Sequence, residues 1–104
     1  MSENCEEVGV VSRAQGCLLG QIAGDSLGSL VEFWPPERIR KHYPNGVREL
    51  ADGGSWNTIA GQPTDDSEMA LALARTLVRV GRYDPAEARR AYLAWWRSGP
   101  FDCG

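Results

Sequence analysis

A chain of 104 residues, 42% hydrophobic and 24% charged, suffices for one compact unit or one piece of a larger one, and its length argues against two domains. Its 11 basic and 14 acidic side chains leave a formal charge of −3 with the arginines scattered, which lacks the electrostatic footprint of a nucleic-acid binder. Cys5, Cys17 and Cys103 are odd in number and without CxxC spacing, so they make neither a zinc set nor an even disulfide framework and fit a reducing, cytoplasmic setting.

Residues 1–11 read as an acidic N-terminal tail, in which the apolar run Val8 to Val11 is too short for a signal-peptide core or a membrane span. A first helix is expected from about Ser12, a good N-cap, to about Val31. It sets Gly16, Gly20, Gly24 and Gly28 at four-residue spacing, as a smooth ridge on one face. Each helical glycine costs up to ~1 kcal/mol relative to alanine, so the ridge calls for the close approach of another helix or a ligand. Leu18, Leu19, Ile22, Leu27 and Leu30 widen the apolar surface, and burial on much of the circumference is expected, with Cys17 in the core. Gln21 and Asp25 inside this stretch and Glu32 at its end argue against a membrane helix.

A short helix is expected over Glu37 to His42, after Pro35 and Pro36 and before Pro44. Asn45 to Pro63 reads as a loop with turn signals at Asn45-Gly46, Gly53-Gly54 and Gly61 and with Trp56 near its centre; long loops in compact folds are often functional. The third helix begins near Thr64 or Asp65 and ends at Val80 with Gly81 as its stop. Asp65 and Glu68 have capping-box spacing, and Met69, Ala70, Leu73, Ala74, Leu77 and Val80 form a wide apolar face. The fourth helix has Asp84 as N-cap, Pro85 at its first position, Glu87 three residues after the cap, and Gly99 beyond Arg97 as terminator. The class is all-α. Tyr92, Trp95 and Trp96 load the last helix with aromatic surface that a lone four-helix unit has trouble burying, and a chain this short is expected to have a thin stability margin.

Chemistry is concentrated in Pro63-Thr64-Asp65-Asp66-Ser67-Glu68, where a glycine-rich loop enters a helix whose first turn carries a hydroxyl and adjacent carboxylates. Hard cations such as magnesium take oxygen ligands, and neighbouring aspartates at a helix start project about 100° apart, which suits a two-cation site. The competing reading is that Asp65 and Asp66 only cap the helix and answer its dipole. A second cluster is Gly24-Asp25-Ser26-Leu27-Gly28 with Glu32 seven residues after Asp25, and therefore two helical turns along the same face. A buried carboxylate must cap backbone groups, meet a cation or line a cleft; the alternative is that Asp25 fixes a helix end and Glu32 is solvated. His42 is alone, Ser67 has no histidine to activate it, and Gly24 and Gly28 lack the strand and lysine of a phosphate loop.

These residues, in this order and spacing, resemble a known family. Arg13-Ala14-Gln15-Gly16-Cys17-Leu18-Leu19-Gly20-Gln21-Ile22-Ala23-Gly24-Asp25-Ser26-Leu27-Gly28, then Val31-Glu32, then Pro63 through Met69, then Trp95-Trp96 and Pro100-Phe101-Asp102-Cys103-Gly104 are similar to the ADP-ribosylglycohydrolases, over residues 12–104. The resemblance implies the N-terminal helices of an all-α hydrolase domain that removes ADP-ribose from modified proteins or related conjugates, using two magnesium or manganese ions. It implies Thr64, Asp65 and Asp66 as metal ligands, Glu32 as an acid near the scissile ribose bond or its water, and Asp102 as an acid near the ribose. Gly53, Gly54 and Trp56 belong to the loop flanking the cleft on the same implication.

Family members return to the metals through a later Asp-x-Asp-Thr segment, which this sequence does not contain. Residues 1–104 are therefore expected to be an incomplete portion, inactive alone and in need of a complementary C-terminal portion. Two alternatives stand beside this reading: a non-catalytic ADP-ribose-binding or structural member of the same fold, and an unrelated helical interaction module. No nucleic acid and no membrane are expected as partners.

Overall fold

The computed structural model describes the backbone from Ser2 to Gly104 and the side chains from Glu7 onward, so the expectation for Cys5 lies outside the described residues. Four α-helices follow in order, α1 (Ser2–Gly28), α2 (Pro36–His42), α3 (Asp65–Val80) and α4 (Pro85–Arg97), with a 3-10 turn at Ser29–Val31. The fold class is all-α, and a lone antiparallel bridge joins Gly53 and Thr58. No described helix is long and apolar enough to cross a membrane. The chain forms two compact units, Met1–Gly61 and Gln62–Gly104, and α3 and α4 pack on each other within the second.

In the first unit α1 begins at Ser2, well before the expected start at Ser12. The opening sequence Ser2-Glu3-Asn4-Cys5-Glu6-Glu7 is rich in acids, which favour the positive end of a helix dipole. The expected burial of this helix is not met within the described residues. No heavy atom lies within 4 Å of a Cβ built at Gly16, Gly20, Gly24 or Gly28, Leu19 is 67% exposed, and Cys17 is exposed rather than in a core. Burial gathers instead at the C-terminal end of α1, at Ser26, Ser29 and Leu30. There the Ser29 hydroxyl donates to the Ser26 carbonyl at 3.1 Å, and the Ser26 hydroxyl donates to the Gly61 carbonyl at 3.1 Å. These bonds tie the end of the long loop to the end of the helix, which tightens into the 3-10 turn and stops.

Proline fixes the start of α2, with Pro36 at the first helical position one residue earlier than expected. Its return to the chain is a small aromatic cluster: the Arg38 guanidinium lies 3.8 Å over the Trp34 ring, and His42 and Tyr43 stand at 5.2 and 6.3 Å from it. The following loop closes a tight turn in which Gly53 N–H donates to Thr58 O at 2.7 Å and Thr58 N–H donates to Gly53 O at 3.0 Å. Gly54 is needed inside it. Its φ is +72°, and a Cβ there would fall 2.8 Å from the Leu30 Cα.

In the second unit Thr64 is the N-cap of α3, and Gly81 ends it in the left-handed region with its N–H on the Leu77 carbonyl at 2.8 Å. The expected capping box between Asp65 and Glu68 does not form. The cap is one residue earlier, and Glu68 accepts instead from the Trp95 indole at 2.6 Å, which ties α3 to α4. The α4 start is as expected: Asp84 accepts from the Ala86 and Glu87 amides at 3.0 and 3.4 Å, with Pro85 next to it. Glu87 pairs with Arg79 at 2.9 Å and also with Arg90. Among the described hydrophobic side chains only Leu30 and Ala88 are buried, and Trp96 remains 60% exposed, in keeping with an aromatic load too large for four helices.

Two substitutions test these local accounts. Asp84→Ala removes an N-cap and is expected to lower stability by about 1 kcal/mol, read as a lower thermal midpoint by far-ultraviolet circular dichroism. Gly20→Ala meets open space and is expected to stabilise α1 in this chain by up to ~1 kcal/mol; a loss of helicity would mean that the ridge is in contact with something.

Candidate functional site

The acid expected near the scissile bond, Glu32, is not on the face of α1 with Asp25. The 3-10 turn intervenes, and Glu32 caps its end with φ −56° and ψ 134°. The extended ψ lets its carboxylate meet the loop, where Trp56 Nε1 donates to Oε2 at 2.7 Å. The Ser55 hydroxyl donates to the main-chain carbonyl of the same residue. Phe33 then turns the chain with φ of +67°, and its ring meets Trp56 edge to face at 6.4 Å. Sequence reading placed Trp56 in a flanking loop but did not foresee this bond, since nothing in a 24-residue separation signals it.

In the second unit the loop before α3 delivers Thr64, Asp65 and Asp66 to the first turn of the helix. Thr64 is buried, yet its side chain makes no capping bond to a helix amide; its hydroxyl bonds the Asp65 carboxylate. Asp65 Oδ1 also accepts from the Asp66 amide at 3.1 Å. Asp66 itself is exposed, and Ser67 behind it is fully buried.

Asp102 comes back toward this helix start. Its carboxylate accepts from the Gly104 amide at 3.2 Å, and a Cβ built at Gly104 would sit 3.9 Å from Asp65 Oδ2. The proximity has an electrostatic signature. Burial pushes the Asp65 carboxyl above its ordinary 3.8, the Asp102 charge pushes it further, and Asp66 adds to this, while the Thr64 hydroxyl and the Asp66 amide pull it back. Thr64, Asp65, Asp66 and Asp102 thus share one region of the second unit, and Glu32 belongs to the first.

The donors at the α3 start are all oxygens and mostly anionic, the set that magnesium and manganese prefer over zinc or copper. Among the described residues, no group of three or more His, Cys, Asp or Glu side chains stands ready to hold an ion by itself. The chemistry of these donors therefore fits a divalent ion as part of a larger ligand set.

Comparison with known proteins identifies the family. A family model described as ADP-ribosylglycohydrolase matches residues 6–104. The chain is 41% identical over 96 residues to the ADP-ribosyl-[dinitrogen reductase] glycohydrolase of Rhodospirillum rubrum, covering 91% of this chain and 32% of that protein. It is 42% identical over 89 residues to the ADP-ribosylarginine hydrolase Tri1 of Pseudomonas putida (strain GB-1), covering 86% of this chain and 22% of that protein. A solved structure titled as an ADP-ribosylglycohydrolase-related protein complex superposes with a TM-score of 0.71 at 38% identity, covering 81% of this chain and 28% of that one. The chain belongs to the ADP-ribosylglycohydrolase family, and it spans at most about a third of the length of these relatives.

Removing the Asp102 charge tests the geometry. In Asp102→Asn the Asp65 carboxyl is expected to titrate closer to 3.8 but still above it, because burial, the larger cause, stays; carboxyl carbon-13 resonances report this. The sign follows from linkage: a raised folded value means that the stability linked to Asp65 is present below 3.8 and is lost as pH rises through the folded value. That loss should be smaller in the variant.

Proposed function

We propose that this chain carries part of the active site of a metal-dependent hydrolase that releases ADP-ribose from modified proteins or related conjugates by cleavage at the ribose anomeric carbon. The observation that supports it best is the start of α3, where Thr64 turns its hydroxyl to Asp65 instead of capping the helix and Asp102 approaches the same carboxylate. Carboxylates crowded together repel, and a helix start alone needs no such crowding; a divalent cation relieves it.

Thr64, Asp65 and Asp66 are the residues that would hold magnesium or manganese, two ions on the pattern of the family resemblance. What a bound divalent ion supplies is a hold on the ribose hydroxyls and polarisation of a water. The chain's own carboxylates do the rest. In hydrolysis a water oxygen bonds to the anomeric carbon while the bond to the leaving group breaks, and the leaving group departs with the electron pair and gains a proton. Positive charge builds on the sugar meanwhile, so a carboxylate beside it lowers the barrier and can take the proton of the attacking water. Glu32 is assigned that position, and Asp102 is assigned to the ribose.

The carboxylates gathered here do not balance the charge of two divalent ions, so further acidic ligands are required. On this reading the 104 residues alone release no ADP-ribose and act with a complementary C-terminal portion. The substrate is an ADP-ribosylated protein or a small ADP-ribose conjugate, and the exposed thiols of Cys17 and Cys103 support a reducing, cytoplasmic setting.

A reconstitution decides the matter. The chain is mixed with manganese, an ADP-ribosylated protein and the complementary C-terminal portion of the Rhodospirillum rubrum relative, and free ADP-ribose is followed by chromatography. Release is expected only when both portions are present. Asp65→Ala and Asp66→Ala should each lower it by more than about 100-fold, since losing even an outer partner of a metal ligand costs ~10- to 100-fold. Undiminished release in both variants would sink the reading, as would a folded mixture that takes up no manganese.

A further inference from the structure

Glu32 is gripped at its main chain and at its side chain by one short turn. The turn closes at the Gly53–Thr58 bridge, and the Asn57 amide donates to the Gly54 carbonyl at 3.2 Å inside it. From it the Ser55 hydroxyl reaches the Glu32 carbonyl, and the Trp56 indole reaches Glu32 Oε2 at 2.7 Å. The turn can approach so closely only because Gly54 lacks a side chain, a Cβ there being 2.8 Å from the Leu30 Cα. On the far side Phe33 holds φ of +67°, a conformation that costs a non-glycine residue on the order of 1–3 kcal/mol. The Phe33 ring is 84% exposed, so burial does not offset that cost.

The approach of Gly54 covers Leu30, which is 4% exposed, but covering Leu30 requires neither of the two bonds to Glu32. What they accomplish is to fix one glutamate. Free glutamate samples several rotamers about each of its side-chain torsions, and a bond to one oxygen at the tip restricts all of them together. The choice of donor matters as well. An indole N–H donates and never accepts, and it carries no charge, so it orients the carboxylate without cancelling the negative charge that a positively charged sugar requires. An arginine in its place would orient and neutralise at once.

We propose that Trp56 is a positioning residue for Glu32: its indole anchors Oε2, which leaves Oε1 as the oxygen that serves the reacting water and the anomeric carbon. The proposal rests on the reading of Glu32 as the acid at the scissile bond. It makes the turn at Gly53 to Thr58 part of the catalytic apparatus through Glu32, without any contact of its own to substrate.

Two measurements test it. In the nitrogen-15 labelled chain, Glu32→Gln is expected to shift the Trp56 indole proton upfield, because the acceptor loses its charge, and to leave the Trp34, Trp95 and Trp96 indole signals in place. An unmoved Trp56 signal overturns the proposal. In the reconstituted hydrolase, Trp56→Phe keeps an aromatic ring but removes the donor; kcat is expected to fall about 10- to 100-fold with KM within about twofold, since misplacement of a reacting group by an ångström costs on the order of 100-fold. Trp34→Phe is the control and should leave both constants unchanged. A normal wild-type rate with an unaffected Trp56→Phe variant, or a loss confined to KM, sinks the role of Trp56 alone. No release from the folded wild-type mixture sinks the hydrolase reading, and the role of Trp56 with it.

Discussion

The second unit turns on how the exposed amides at a helix start are answered. Its two helices answer them differently. At α4 the Asp84 Oδ1 accepts from both the Ala86 and Glu87 amides, and Oδ2 pairs with Arg82 at 3.4 Å. At α3 the cap residue is Thr64, whose hydroxyl goes to the Asp65 carboxylate, while Asp65 Oδ1 takes the neighbouring Asp66 amide. Both starts are built from residue types that favour N-caps, but only Asp84 caps through its side chain. The α3 start part-buries Asp65 and brings the Asp102 charge toward it, and these two causes raise the cost of ionising Asp65 although the Thr64 hydroxyl and the Asp66 amide oppose them.

Helix boundaries were legible wherever a residue acts through its own backbone. Pro36 and Pro85 start helices, and Gly81 ends one in the left-handed region, because their conformational limits hold in any surroundings. The beginning of α1 was not legible at Ser12, since a serine is a preferred cap but not an obligatory one and the acidic residues before it also suit a helix. The capping-box spacing of Asp65 and Glu68 misled for a related reason. Spacing states which groups can meet if the helix starts at one residue, and the helix starts with its cap one residue earlier, which releases Glu68 to a tertiary partner, Trp95.

For the candidate site the sequence offers members without geometry. Thr64, Asp65, Asp66 and Asp102 are members by resemblance alone, and the structure brings the Asp102 charge toward Asp65 within the second unit. Glu32 illustrates the limit. Its seven-residue distance from Asp25 implied a shared helical face, a rule that fails once three residues tighten into a 3-10 turn. The glycine ridge marks a different limit: its spacing speaks of close approach, yet no described residue comes near it, so periodicity identifies a face without identifying what meets it.

Among the described residues, Trp56 bonds Glu32 at 2.7 Å and Trp95 bonds Glu68 at 2.6 Å, and the surroundings of the two bonds differ. Trp95 and Glu68 lie on helices that pack on each other, and the bond between them adds a polar tie to that contact. Around Glu32 a glycine is pressed onto the buried Leu30, while an exposed phenylalanine with positive φ and a hydroxyl on the main-chain carbonyl surround the bond without adding apolar burial. Covering Leu30 does not account for the strain at Phe33 or for the two bonds to Glu32; on the proposal that Trp56 positions Glu32, the orientation of its carboxylate does.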